Sequence, residues 1–72
     1  MVMIDRIIHA FGGSQVELAR ELGVTKMAIT QWRRRDRIPA ERVLRLERLT
    51  GGRVTRHEMR PDLYPPDERG AA

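Results

Sequence analysis

Gln15 to Trp32 reads QVELARELGVTKMAITQW. Val16, Leu18, Ala19 and Leu22 follow helical spacing up to Gly23, and Ile29 and Trp32 resume it beyond. A glycine between two such short segments can take a positive φ, which lets one helix stop and the next leave at an angle. Ala19, four residues before the glycine, is small enough to admit a neighbouring helix at the crossing. The stretch therefore predicts two helices joined by a tight turn, the second over residues 26–34 and running into the basic run Arg33-Arg34-Arg35.

The surrounding chain supports this reading on both sides. Upstream, Ile4, Ile7, Ile8 and Phe11 recur on one helical face that Gly12-Gly13 ends. Ser14-Gln15-Val16-Glu17 is a capping-box signature for the helix that follows. Downstream, Thr25 suits the N-cap of the third helix, and Pro39 the first turn of a fourth. That fourth helix carries Val43, Leu46 and Leu49 to Gly51-Gly52, with Glu41 and Arg45 spaced for an i,i+4 ion pair. Thr55-Arg56-His57-Glu58 repeats the capping-box pattern and predicts a short fifth helix that Pro61 ends. The expected architecture is all-α, a four- to five-helix domain over residues 1–64 with a flexible tail over 65–72. Leu63 and Tyr64 either fold back to seal the first helix or pack on a second subunit.

A chain of 72 residues holds one domain and buries only about 60% of its unfolded surface, so a deep catalytic pocket has little room. Paired carboxylates, Ser/His/Asp order and a glycine-rich phosphate loop are lacking, which argues against an enzyme. Without Cys, and with His9 and His57 far apart, neither a metal site nor a cofactor is expected. The apolar N-terminus is interrupted by Asp5, Arg6 and His9, too polar for a membrane span or signal peptide, so a cytoplasmic, nucleoid-associated protein is expected.

The charge is concentrated. Residues 26–60 carry eleven Lys or Arg against four Asp or Glu, a net +7, while residues 1–25 carry −1 and residues 61–72 carry −2. Thirteen of the fourteen basic residues are Arg, the side chain that grips phosphate bidentately. The excess begins where the second helix of the turn begins, which points to double-stranded DNA as the partner. Single-stranded RNA readers usually display several aromatics, and this chain has only Phe11, Trp32 and Tyr64.

With Ile29 and Trp32 facing the core, Lys26, Met27, Thr30 and Gln31 are left outward on the third helix, followed by the arginines. Gln31 suits adenine and Lys26 suits guanine, while Met27 either meets a thymine methyl or tucks into the core. Arg33, Arg34, Arg35 and Arg37 are phosphate-binding candidates, joined by Thr25. Arg42, Arg45 and Arg48 decorate the fourth helix or serve an interface. One small helix reads few bases, so a two-fold homodimer with half-sites about one helical turn apart is expected.

The spacing of Gln15, Ala19, Gly23, Ile29 and Trp32 resembles the helix-turn-helix of phage Cro and repressor proteins. More closely, GSQVELARELGV–ITQW–RIPAERVLRLERLTGG–VTRHEMRPDLYP, over about residues 3–65, resembles the YdaS-type family of prophage Cro-like regulators and antitoxins. The resemblance implies DNA binding through the third helix, commonly as a dimer, and repression of a neighbouring promoter. By position it places Gln15 on a backbone phosphate and Lys26, Met27, Thr30 and Gln31 at base edges. It also raises an alternative, an antitoxin that binds a partner toxin and regulates its own operon. One departure is Arg35-Asp36-Arg37, where many relatives carry a glycine.

Overall fold

Helix α1 (Met3–Phe11) opens the computed structural model, which describes residues 2–65. It is followed by α2 (Gln15–Leu22), α3 (Lys26–Arg35), a 3-10 turn at Ala40–Arg42 that runs directly into α4 (Val43–Leu49), and α5 (Arg56–Met59). The described residues contain no strand. The all-α architecture is thus as expected, and the tail beyond Pro65 lies outside the described residues.

Each boundary has a local chemical cause. Gly12 ends α1 in the left-handed region, at φ 82°. Ser14 and Glu17 form the expected capping box: Ser14 Oγ accepts from the Glu17 amide at 3.2 Å, and Glu17 Oε1 accepts from the Ser14 amide at 2.9 Å. Gly23 ends α2 at φ 70°, a value that a β-carbon would strain. Thr25 then caps α3 by accepting from the Ala28 amide at 3.1 Å. A second capping box, Thr55 with Glu58, starts α5.

The core gathers one stripe from each helix. Ile4 and Ile7 of α1, Leu18, Ala19 and Leu22 of α2, Ile29 of α3, and Val43 and Leu46 of α4 are all buried. Ile38 from the α3–α4 connection, Val54 and Met59 complete it, and Trp32 packs against it half-buried. At roughly 25 cal/mol per Å² of apolar area removed from water, this cluster is the principal term holding α3 in place.

Four expectations require adjustment. Val16 is 46% exposed, because it lies to one side of the arc that Leu18, Ala19 and Leu22 present to the core. Helix α3 runs one residue further than expected, to Arg35. The Glu41–Arg45 pair is not among the ion pairs of the described residues; Arg45 Nη2 instead donates to the Glu21 carbonyl at the end of α2, 3.1 Å away. Glu41 belongs to the 3-10 turn and so leaves the α-helical register the pairing requires, while a helix C-terminus offers unpaired carbonyls to a cation. Finally, Tyr64 folds back onto the core under the Arg56 guanidinium, 5.7 Å from its ring centre, but Leu63 stays 46% exposed.

Candidate nucleic-acid interface

The outward side of α3 follows from what its inner side buries. Ile29 is fully buried and Trp32 half-buried, so Lys26, Met27, Gln31, Arg34 and Arg35 are left exposed. Met27, for which core and surface were both open, is 65% exposed. Arg37 is also exposed just past the helix. Among the described residues Lys26, Arg34, Arg35 and Arg37 enter no ion pair, and Arg37 lies close enough to a carboxylate, Asp62, to feel its charge.

Gln15 and Thr30 are joined across the α2–α3 angle. Gln15 Nε2 donates to Thr30 Oγ1 at 3.1 Å and to the Lys26 carbonyl at 3.3 Å, and Thr30 Oγ1 donates to that same carbonyl at 3.2 Å. A carbonyl only accepts, so the amide nitrogen must be the end of Gln15 that faces it. The three distances form a nearly equilateral triangle, so the two acceptors subtend about 60° at Nε2. Both acceptors therefore lie side by side within reach of the one amide nitrogen. Gln15 thus ties the helices together.

Arg33 behaves differently from its neighbours. Its Nε and Nη2 lie 3.0 Å and 2.8 Å from Asp5 Oδ1 on α1, with both side chains 38% exposed. Sequence reasoning grouped it with the phosphate-binding arginines, yet a signal was present. Arg33 stands four residues after buried Ile29 and Asp5 one residue after buried Ile4, so both flank the α1–α3 seam. Asp36 adds a second link there, its Oδ1 accepting from the Met3 amide at 3.4 Å. It also ends α3 at φ 50°, so the aspartate takes the left-handed position that most often falls to glycine.

Arg60 carries a structural role that sequence reasoning missed. It is only 9% exposed, donates through Nη1 to the Ile38 carbonyl at 2.8 Å, and grips Asp62 through Nε and Nη2 at 3.0 Å and 2.8 Å. These bonds hold the Asp62 carboxyl down at about 2, with Arg37 nearby lowering it further. The Arg-Pro-Asp segment thereby fastens the connection after α3 to the end of the domain. Buried His57 adds to the same closure, its Nδ1 donating to the carbonyls of Tyr64 and Pro65 at 3.0 Å and 3.2 Å. Among the described residues there is no cluster of three or more His, Cys, Asp or Glu, no cavity, and no helix long and apolar enough to cross a membrane.

Two helices meeting at a left-handed glycine, the second of them basic and turned outward, with α1 and α4 closing the core behind them, define a Cro-like helix-turn-helix protein. The chain belongs to the YdaS family: the family model described as "Bacterial toxin YdaS" matches residues 4–68. Its fold is similar to that of the Cro protein of Xfaso 1, a proposed prophage element of Xylella fastidiosa strain Ann-1. The TM-score is 0.79 and the identity 46%, over 88% of this chain and 95% of that one. It is also 44% identical over 52 residues to an Escherichia coli (strain K12) protein carrying the provisional name transcriptional regulator YdaS. That match takes in 71% of this chain and 53% of the relative, so the chain spans about half the length of this curated relative.

Proposed function

We propose that this chain is a sequence-specific DNA-binding regulator of transcription, acting in the cytoplasm at the nucleoid, that inserts α3 into the major groove and represses a phage or prophage promoter. The observation that carries the reading is the two-sided character of α3. Ile29 is fixed in the core while Met27 is 65% exposed beside Lys26, Gln31 and Arg34, on a Cro-like scaffold. Lys26, Met27, Thr30 and Gln31 face the base edges. Arg34, Arg35 and Arg37 bind phosphates, joined by the Gln15 side chain and the hydroxyl proton of Thr25. Arg33 contributes through the N–H groups that Asp5 leaves unused. A homodimer doubles a readout that one short helix makes too small.

The test is fluorescence-anisotropy binding to the DNA flanking the gene against scrambled DNA, at two salt concentrations. A preference of about 10³ or more establishes site-specific regulation, and binding without preference refutes it. The family's description as a toxin bears on a second reading, in which the chain acts in a toxin–antitoxin pair as an antitoxin bound to a partner protein. Co-purification with the product of a neighbouring gene, in the absence of DNA preference, supports that reading instead.

A further inference from the structure

We infer that α3 reads thymine by its C5-methyl group, through Met27 and the methyl of Thr30, so that the half-site is built on A·T pairs; this rests on the DNA-binding reading above. Thr30 looks like a polar donor to bases, but its hydroxyl proton is already committed. A hydroxyl has a single proton, and Thr30 donates it to the Lys26 carbonyl at 3.2 Å while accepting from Gln15 at 3.1 Å. It has no proton left for guanine N7 or O6, adenine N7 or thymine O4. What Thr30 retains for a base is its methyl group and one acceptor lone pair, and it is the methyl, in apolar contact, that selects the thymine methyl.

Met27 extends the same surface. It stands three residues before Thr30 and four before Gln31, so the three share one face of α3. A thioether has no proton to donate and accepts only weakly, so a side chain 65% exposed there offers dispersion contact and little else. Gln31 is exposed, and its amide makes no hydrogen bond among the described residues. Its fork matches adenine N6 and N7, and adenine is the base that thymine pairs with. Two methyl readers beside one adenine reader specify A·T pairs, with Lys26 at the base edge beside them and Arg34 on the phosphates.

Selection from a randomised duplex library with the full chain, followed by single thymine-to-uracil replacement in the enriched site, tests this directly, since uracil differs from thymine only by the methyl. A·T pairs should dominate the enriched half-site, and uracil at one or two positions should weaken binding by about fourfold each, the worth of one buried methyl. Thr30→Ser keeps the hydroxyl bridge and should abolish the uracil effect at its position, whereas Thr30→Val keeps the methyl and should preserve it. Each variant is judged by its own thymine-to-uracil ratio, so a change in overall affinity does not enter. An enriched site indifferent to uracil, or made of G·C pairs, overturns methyl readout while leaving DNA recognition intact. No enriched sequence at all overturns both.

Discussion

Asp36 offers the sharpest test of how this fold is held, because it combines a backbone demand with a long-range contact. Its φ of 50° is the single positive value at a non-glycine residue in the described chain. An ordinary L-residue loses roughly 1–2 kcal/mol in the left-handed region, and aspartate loses less because its short polar side chain bonds locally. The contact to the Met3 amide is long, at 3.4 Å, and exposed, so its carboxylate contributes at most about 0.5 kcal/mol to the α1 N-terminus. Asp36→Asn should therefore cost no more than about 0.5 kcal/mol. In Asp36→Gly, relief of strain is offset by the lost cap and by glycine's unfolded-state freedom, leaving stability within about 0.5 kcal/mol of the parent. Asp36→Ala should cost about 1–2 kcal/mol, and β-branched Asp36→Val more. Urea unfolding followed through half-buried Trp32 reads the series, whose carbonyl accepts from the Arg37 amide at the same turn. With a slope near about 1 kcal/mol per molar for so small a domain, Asp36→Ala should move the midpoint by about 1 M or more. Ala or Val variants as stable as the Asn variant would refute the argument that the turn depends on a left-handed residue.

Three further outcomes follow from the packing and the charge. Ile29→Ala removes a fully buried side chain that anchors α3 and should cost about 2–5 kcal/mol, measured by the same urea titration; a loss under about 1 kcal/mol would mean α3 is held by something other than its core contact. Arg34→Ala should weaken all duplexes alike and lower the slope of log K against log salt by about one, whereas Gln31→Ala should cost about 1–3 kcal/mol on the selected site and almost nothing on scrambled DNA. Reversal of the two patterns would exchange their roles. Asp62 titrates at about 2 against an ordinary 3.8, and Glu58 is also lowered, by the Thr55 amide first and then by Arg6. A carboxyl depressed on folding stabilises fully above its unfolded value and loses that contribution as pH falls toward its folded one. The melting temperature should thus fall between about pH 4 and pH 2, and Asp62→Asn should flatten that decline; an unchanged acid limb would show that the Arg60–Asp62 clasp contributes nothing.

The parts of this protein legible in its sequence are those whose causes lie within one helical turn. Both capping boxes, the Gly23 bend and the buried stripe through Ile4, Ile7, Leu18 and Ile29 each rest on residues three or four apart, where spacing alone decides the partner. Periodicity also separates Ile29 from Gln31 on α3, which is why the outward face could be read before the fold. What it cannot see is a choice among distant partners. Arg33, Arg34 and Arg35 look alike in a row, and only the arrival of Asp5, 28 positions earlier, ties Arg33 to α1. Thr30 reads as a surface hydroxyl until Gln15, 15 positions away, occupies it. Arg60 reads as one more basic residue until the Ile38 carbonyl, 22 positions away, draws it inside. Such long-range bonds order a few side chains from a large set at little cost to the core. Side chains of one chemical type along α3 can therefore take up different work: Arg33 braces the scaffold, and Arg34 remains available to a polyanion.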